Sequence, residues 1–477
     1  MSRLNQKMIS FWSTVGSRCL PFADVATPDL PLGRLLRLSL FQVSVGMAMV
    51  LLVGTLNRVM IVELNVPASL VGVMLAMPLV FAPLRALIGF RSDHHQSALG
   101  WRRVPFIWKG SLAQFAGFSF MPFALLVLAG QGESGSIPAW VGQFTAAVSF
   151  LLVGAGVHTV QTAGLALATD LTPTESHPRV VGLMYVMLLV GMMFSALIFG
   201  TVLMDFSPGR LVRVIQTAAL LTLVLNVVAV WKQEPRRRQR ADTPAAADPS
   251  FRDSWLKFCE GEDTLRRLAI VGLGTMAFGM ADILLEPFGG HVLNLSVSST
   301  TLLTALFAVG GLVGFATASK LIAGGADPYV TARQGAFIGL PAFALVITAA
   351  PFEMPALFVG GNFLIGFGGA LFGHGTLTAA MDRAPKEQVG LALGAWGAVQ
   401  ATAAGVGVAL SGVIRDLVNM LEAGVNQGIG NSASASGYMT VYAIEISLLL
   451  ITLVVAAPLI KRSAQTRSAA PGHEATL

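Results

Sequence analysis

Charge is scarce in this chain. Of its 477 residues only 12% are Asp, Glu, Lys or Arg, about half the ~25% usual in soluble proteins. Hydrophobic residues make up 54% and the mean hydropathy is +0.70. That balance excludes an ordinary soluble domain, a disordered chain and most nucleic-acid binders. The net charge of +6 then points to basic loops beside a membrane rather than to a DNA site. Cysteine is almost missing. Cys19 and Cys259 cannot build a disulfide framework or a zinc cluster, and both fall in segments assigned below to the cytoplasm, where thiols stay reduced. Two catalytic signatures are absent as well. No DxxD or DxxxD pair occurs for magnesium-diphosphate chemistry, and no GxxxxGK loop for ATP. The chain therefore reads as a non-enzyme, with no catalytic residues and no metal site of its own.

What it has is long uncharged runs. A bilayer core takes about 20 apolar residues per helix, and runs of that order recur at 38–57, 64–84, 110–132, 180–204, 214–231, 334–352, 354–381 and 388–414. Residues 134–169 hold one span with an extension. Residues 268–319 are interrupted by Asp282, Glu286 and a Pro287-Gly289-Gly290 turn, and read as two helices. Residues 438–460 complete twelve, with Glu445 inside the last. Basic residues set the orientation. With the N-terminus inside, Arg58, Arg210, Arg213 and Arg415 lie on the opposite side, and Arg85 and Lys109 lie in or at the ends of spans. The other 25 of the 31 basic residues mark the inner side. Both termini are expected in the cytoplasm.

The polar stretches divide the chain. Residues 1–34 do not read as a cleavable signal peptide. Leu4, Met8, Phe11, Trp12 and Val15 recur at helical spacing among Arg3, Lys7 and Arg18, the pattern of a helix lying in the interface. A six-helix bundle is expected over 35–232 and another over 265–460. A basic linker with a second amphipathic helix (Phe251, Trp255, Phe258) spans 233–264, and 461–477 form a tail. The halves are related. At an offset of 212, Gly154, Gly156, Leu165, Ala168, Asp170, Pro173 and Glu175 recur as Gly366, Gly368, Leu377, Ala380, Asp382, Pro385 and Glu387. Gly46-Met47-Ala48 likewise recurs as Gly279-Met280-Ala281, and Leu64-Asn65 as Leu293-Asn294.

Twelve helices in a 6+6 repeat, with both ends inside and a basic central loop, describe an all-α integral membrane protein of the major facilitator fold. Gly89, Asp93, Gly100, Arg102 and Arg103 resemble that superfamily's loop signature, with extra residues before Gly100. Asp93 can pair with an arginine or cap a helix there. The matching loop of the second half has Gly314 but Ala318 in place of the acid. Four strings go further: GFRSDHHQSALGWRRVPFIW, GAGVHTVQTAGLALATDLTP, GMADILLEPFGGHVLNLSVSSTTLLTAL and GLALGAWGAVQATAAG. Together they closely resemble the PucC/LhaA family over residues 35–460, with the strongest likeness to its LhaA branch, which serves the core antenna. The resemblance implies a non-enzymatic assembly factor for photosynthetic light-harvesting complexes, multi-pass in the bacterial inner (intracytoplasmic photosynthetic) membrane. It implies bacteriochlorophyll as cargo or cofactor. Its partners would be light-harvesting antenna polypeptides, pigment-synthesis enzymes and membrane lipid, and no nucleic acid. A tetrapyrrole transporter or flippase using alternating access is the alternative.

Against that background three histidines matter, because chlorophyll magnesium commonly takes a neutral imidazole nitrogen. His158 and His374 precede Asp170 and Asp382 by distances one helical turn apart, so they sit on similar faces of equivalent helices. His291 follows the Gly289-Gly290 pair. Each is either a pigment ligand or a hydrogen-bonding link between helices. Asp282 and Glu286 lie four apart on one face. They suit proton coupling, contact with an antenna subunit or, preferred here, an ion pair with Arg58 or Arg85. Glu445 is open to the same readings. Asp170, Glu175, Asp382 and Glu387 are expected to cap helices or to pair with Arg179, Arg383 or Lys386. The Gly310/Gly314 and Gly390/Gly394 pairs read as seats for neighbouring helices of the same bundle.

Overall fold

The structure, a computed structural model, describes residues 31–80, 101–130, 136–173, 176–235, 263–382, 389–425 and 435–469. Among these every regular element is helical. Eleven helices are long and apolar enough to cross a membrane. These are α1 (Leu32–Glu63), α3 (Val104–Leu128), α4 (Ala139–Asp170), α5 (His177–Val202), α6 (Pro208–Val230), α7 (Thr264–His291), α8 (Val297–Ala323), α9 (Pro328–Ala349), α10 (Pro355–Asp382), α11 (Val389–Val425) and α12 (Ala435–Ala469). The shorter α2 (Ala68–Val80) makes the twelfth. The chain is a multi-pass membrane protein. Both amphipathic segments of the sequence analysis, residues 1–30 and most of the linker, lie outside the described residues.

Local signals account for the ends. Ser207 caps α6 by accepting from the Arg210 N–H, and Asp327 caps α9 by accepting from the Tyr329 N–H. In both helices a proline follows at the first position, where its missing N–H costs nothing. Two helices depart from the α form. The second half of α1 is π-helical over Val50–Leu56 and Val59–Glu63. The two helices expected over 268–319 are present, but the Pro287-Gly289-Gly290 segment does not separate them: α8 starts only at Val297, and α7 runs on through the segment to His291. A single 3-10 turn, Ala281–Ile283, interrupts the helix, which resumes over Leu285–His291 with Pro287 and both glycines inside it. Proline is tolerated there because it sits in the first turn of the resumed helix, whose N–H groups lack intrahelical partners anyway.

The chain forms two compact units. One comprises Met1–Thr243 and Leu285–Ala308, the other Pro244–Leu284 and Val309–Leu477. The resumed part of α7 and the first half of α8 thus belong with the first unit rather than with their own half of the sequence. Within the first unit α1 packs on α5 and α6, and α3 on α4 and α6. Within the second, α7 packs on α11 and α12, and α9 on α10 and α12. The second set is the first moved on by six helices, so the internal repeat is a repeat of packing.

Glycine makes the crossings close. A Cβ on Gly110 would lie 2.9 Å from the Gly156 carbonyl oxygen, and one on Gly156 would lie 2.5 Å from that of Gly110. Gly335 and Gly368 reproduce this in the second unit, at 2.5 Å and 2.8 Å. Backbones this near need residues without a side chain. Gly314 seats α8 against Phe367 and Ala370 of α10, within one bundle as expected, whereas Gly394 has nothing within 4 Å. The two loop asparagines also correspond, Asn65 and Asn294 both at φ +52°. Asn is among the few non-glycine residues that accept this region readily. We expect Gly335→Ala to lower the thermal unfolding temperature of the detergent-solubilised protein, at an overpacking cost of about 1–3 kcal/mol. Gly360→Ala, where the space is open, should leave it unchanged.

Candidate functional site

The first unit buries a polar seam where α1 ends and α7 resumes. Arg58 is 3% exposed. Its guanidinium pairs with Glu63 and donates through Nη2 to the Leu295 carbonyl at 2.9 Å. Gly290 makes room for it, since a Cβ there would come within 3.1 Å of the guanidinium. Thr304 donates to Glu286 at 2.9 Å, the Thr55 and Thr301 hydroxyls lie 3.3 Å apart, and Ser298 donates to the Gly200 carbonyl at 2.7 Å. The preferred sequence expectation, Arg58 paired with Asp282 or Glu286, is therefore corrected: its ion-pair partner is Glu63. The reason lies in the backbone. Hydrogen bonds in a π-helix run from i to i+5, and this stretch brings residues five apart, Arg58 and Glu63, onto one face. A reading at 3.6 residues per turn separates them.

A second network closes the end of the same unit. After α6, Lys232 adopts a left-handed φ of +54°, and the chain then carries Glu234 to the start of α3. There the Glu234 carboxylate accepts from the N–H groups of Arg102 at 2.7 Å, Arg103 at 3.0 Å and Val104 at 2.9 Å. These are donors that a helix N-terminus otherwise leaves unsatisfied, and the helix dipole favours a negative charge beside them. The side chains of Arg102 and Arg103 reach Asp170 at the end of α4, at 2.7 Å and 3.1 Å. Arg34 of α1 grips Gln233 by its side chain at 2.9 Å and its carbonyl at 3.0 Å. Arg37 donates to the Trp231 carbonyl at 2.9 Å.

Asp170 was expected to cap or to pair with Arg179, Arg383 or Lys386; it takes the paired arginines of the signature loop instead. Gly89, Asp93 and Arg85 lie outside the described residues, as do Glu175 and Glu387. Asp382 ends α10, exposed. Glu234 was missed in the sequence because it stands at the edge of an arginine-rich linker. Its one signal, an acid just beyond the end of an apolar span, does not reveal which helix it will cap.

The second unit holds His374, Asp282 and Glu445. The His374 ring is half-buried with its centroid 4.3 Å from that of Phe315. Its Nδ1 is buried with no hydrogen-bond partner among the described residues. His158 and His291, also half-buried, each engage a neighbouring group. Of the three, His374 is the one with both a buried, unbonded Nδ1 among the described residues and an aromatic ring placed against it by a measured contact. Glu445 of α12 is fully buried, and neither carboxylate oxygen has a hydrogen-bond partner among the described residues. Asp282, in the 3-10 turn of α7, is within electrostatic reach of it.

Comparison with known proteins gives three results. The family model described as "PUCC protein" matches residues 55–464. Relatives named Protein PucC are 61% identical in Rhodovulum sulfidophilum, covering 89% of this chain and 94% of that one, and 53% identical in Cereibacter sphaeroides, covering 98% and 100%. A more distant relative, 29% identical over 81% of this chain and 88% of that one, is the bacteriochlorophyll synthase 44.5 kDa chain of Rhodobacter capsulatus. Among solved structures, a bacterial homologue of the human lysosomal transporter Spinster superposes with a TM-score of 0.64 at 16% identity. It covers 90% of this chain and 97% of that one. The nucleoside transporter NupG superposes with a TM-score of 0.65 at 13% identity, covering 89% and 99%. The fold is that of the major facilitator superfamily.

The Glu234 anchor has a measurable consequence. Glu234→Ala removes the acceptor of three N–H groups and is expected to cost about 2 kcal/mol, read as a fall of several degrees in thermal unfolding. Asp205→Ala should change nothing measurable, because the Asp205–Arg210 pair is exposed.

Proposed function

The chain belongs to the PUCC protein family, and from that premise we propose that it is a non-enzymatic membrane assembly factor for photosynthetic light-harvesting complexes. In this reading it binds bacteriochlorophyll and delivers it to antenna apoproteins in the bacterial photosynthetic inner membrane. Both termini lie in the cytoplasm, where pigment-synthesis enzymes meet it. The observation that carries the reading is His374: an imidazole within a membrane span, beside an aromatic ring, with a buried ring nitrogen that has no hydrogen-bond partner among the described residues. The magnesium of a chlorophyll-type ring commonly takes a neutral imidazole nitrogen, and the apolar neighbourhood suits a lipophilic ring. The more distant relative named for bacteriochlorophyll synthase supports the same cargo.

A second reading, a tetrapyrrole transporter working by alternating access, draws on Glu445 and Asp282. A buried carboxylate without hydrogen bonds, close to a second one, is costly in lipid and marks ion or proton pathways in many transporters. The readings part on movement. A transporter would carry pigment across sealed vesicles and lose that in Glu445→Gln, whereas an assembly factor retains pigment without net transfer.

The deciding experiment is gentle purification from native membranes, with an absorption spectrum and identification of co-purifying chains. Bacteriochlorophyll and antenna polypeptides are expected together. His374→Leu should retain about tenfold less pigment, the equivalent of about 1.4 kcal/mol. Absence of both pigment and antenna chains from the unaltered protein overturns the proposal.

A further inference from the structure

A cavity of about 730 Å³ opens in the first unit between the start of α3 and the end of α6. No histidine is among the described residues that line it. Its walls carry three tryptophans, Trp101, Trp108 and Trp231, and its floor includes Ser111 and Asn226. Both floor residues are 1% exposed. The Asn226 amide is held at one end, where Oδ1 accepts from Ser44 at 2.6 Å. At the other end Nδ2 has no hydrogen-bond partner among the described residues. A buried amide left in that state costs roughly 1–3 kcal/mol, a cost that an acceptor entering the cavity removes.

The rim narrows the class of ligand. Lys232 and Glu234 both border the cavity, so their charges offset. The N-terminus of α3, which could otherwise hold a phosphate, is already occupied by the Glu234 carboxylate. No arginine, whose fork grips an anionic headgroup, is among the described residues that line the cavity. At the mouth Trp108 is 47% exposed and Trp231 60%. They stand where the apolar spans begin and end, the depth at which tryptophan collects in membranes. Indole faces pack on flat π-systems, and the volume lies within the ~300–1,000 Å³ of cofactor pockets.

We infer that this cavity is a lateral, membrane-facing binding site for a neutral tetrapyrrole, with Asn226 hydrogen-bonded to a carbonyl on the ring's edge and Trp108 and Trp231 against its face. The inference rests on the pigment-handling function proposed above and adds a site separate from His374. Because no imidazole stands among the described residues that line the cavity, the ring is held by its edge and faces rather than through its metal. A metal-free ring therefore binds as well as a magnesium-bearing one.

The test titrates the full-length protein carrying His374→Leu, which removes the ligating imidazole, in phosphatidylcholine nanodiscs, with bacteriochlorophyll a and separately with bacteriopheophytin a. Quenching of tryptophan emission reports binding, and pigment absorbance checks it. Saturable binding of both, with affinities within about twofold, is expected. Asn226→Val and Trp231→Ala should each weaken both by about five- to tenfold. The exposed Trp231 offers a variant that keeps its fold if Asn226→Val does not. Variants that bind both pigments like the His374→Leu protein overturn the site while leaving pigment handling intact. So does a tenfold preference for the magnesium form, which would point to ligation. Displacement of bound pigment by phosphatidylglycerol would make the cavity a lipid slot and overturns the inference too. Failure of the unaltered protein, titrated in the same way, to bind either pigment overturns the functional proposal itself.

Discussion

Hydrocarbon offers no hydrogen bonds, so each polar group that this chain carries into the membrane has to find its partner inside the protein. Arg58 shows how strongly that acts. A guanidinium at 3% exposure needs its charge compensated. The chain does this by winding the end of α1 as a π-helix, which brings Glu63 round to Nη1, and it presents the Leu295 carbonyl to Nη2, while Nε has no hydrogen-bond partner among the described residues. The same requirement explains Glu234, whose carboxylate satisfies three N–H groups at the start of α3 and ties that helix to the end of α6. Without these closures the first unit would expose charge and unpaired backbone to lipid.

Close approach of helices is the second device, and the repeat distributes it. Gly110 with Gly156, and Gly335 with Gly368, bring the third and fourth helices of each half into backbone contact. Lipid gives little hydrophobic reason for two apolar helices to associate, so van der Waals contact at glycine has to supply it. The outer faces are left to apolar side chains such as Phe120, Phe144 and Phe194. In water these would be a liability; in a membrane they face their solvent.

The sites suited to pigment handling are places where this closure is incomplete. Among the described residues His374 has a ring nitrogen, and Asn226 an amide nitrogen beside a tryptophan-walled cavity, without a hydrogen-bond partner. Both are neutral. A neutral lipophilic ring needs no charge to hold it, only one directional contact and flat apolar walls. Glu445 is of another kind, a fully buried carboxylate with no hydrogen-bond partner among the described residues.

Much was legible in the sequence, because its cause is local or periodic. Low charge and apolar runs determined a membrane protein of twelve helices. The recurrence of Gly154/Gly156 as Gly366/Gly368 marked equivalent helices, and Leu64-Asn65 as Leu293-Asn294 marked turns that share a left-handed backbone. Family resemblance rested on strings long enough to be specific. Partner choice was not legible. Arg58 was assigned to the carboxylates of α7 because sequence spacing presumes an α-helix, and a π-helical stretch changes which residues share a face. Asp170 went to Arg102 and Arg103, and Glu234 to a helix more than a hundred residues earlier in the chain, because ion pairs form between whatever side chains the bundle brings together. Nor could spacing show that Asn226 borders a cavity. A helix's own sequence determines that it is a helix and which residues share a face; what stands opposite that face is decided only when the other helices pack.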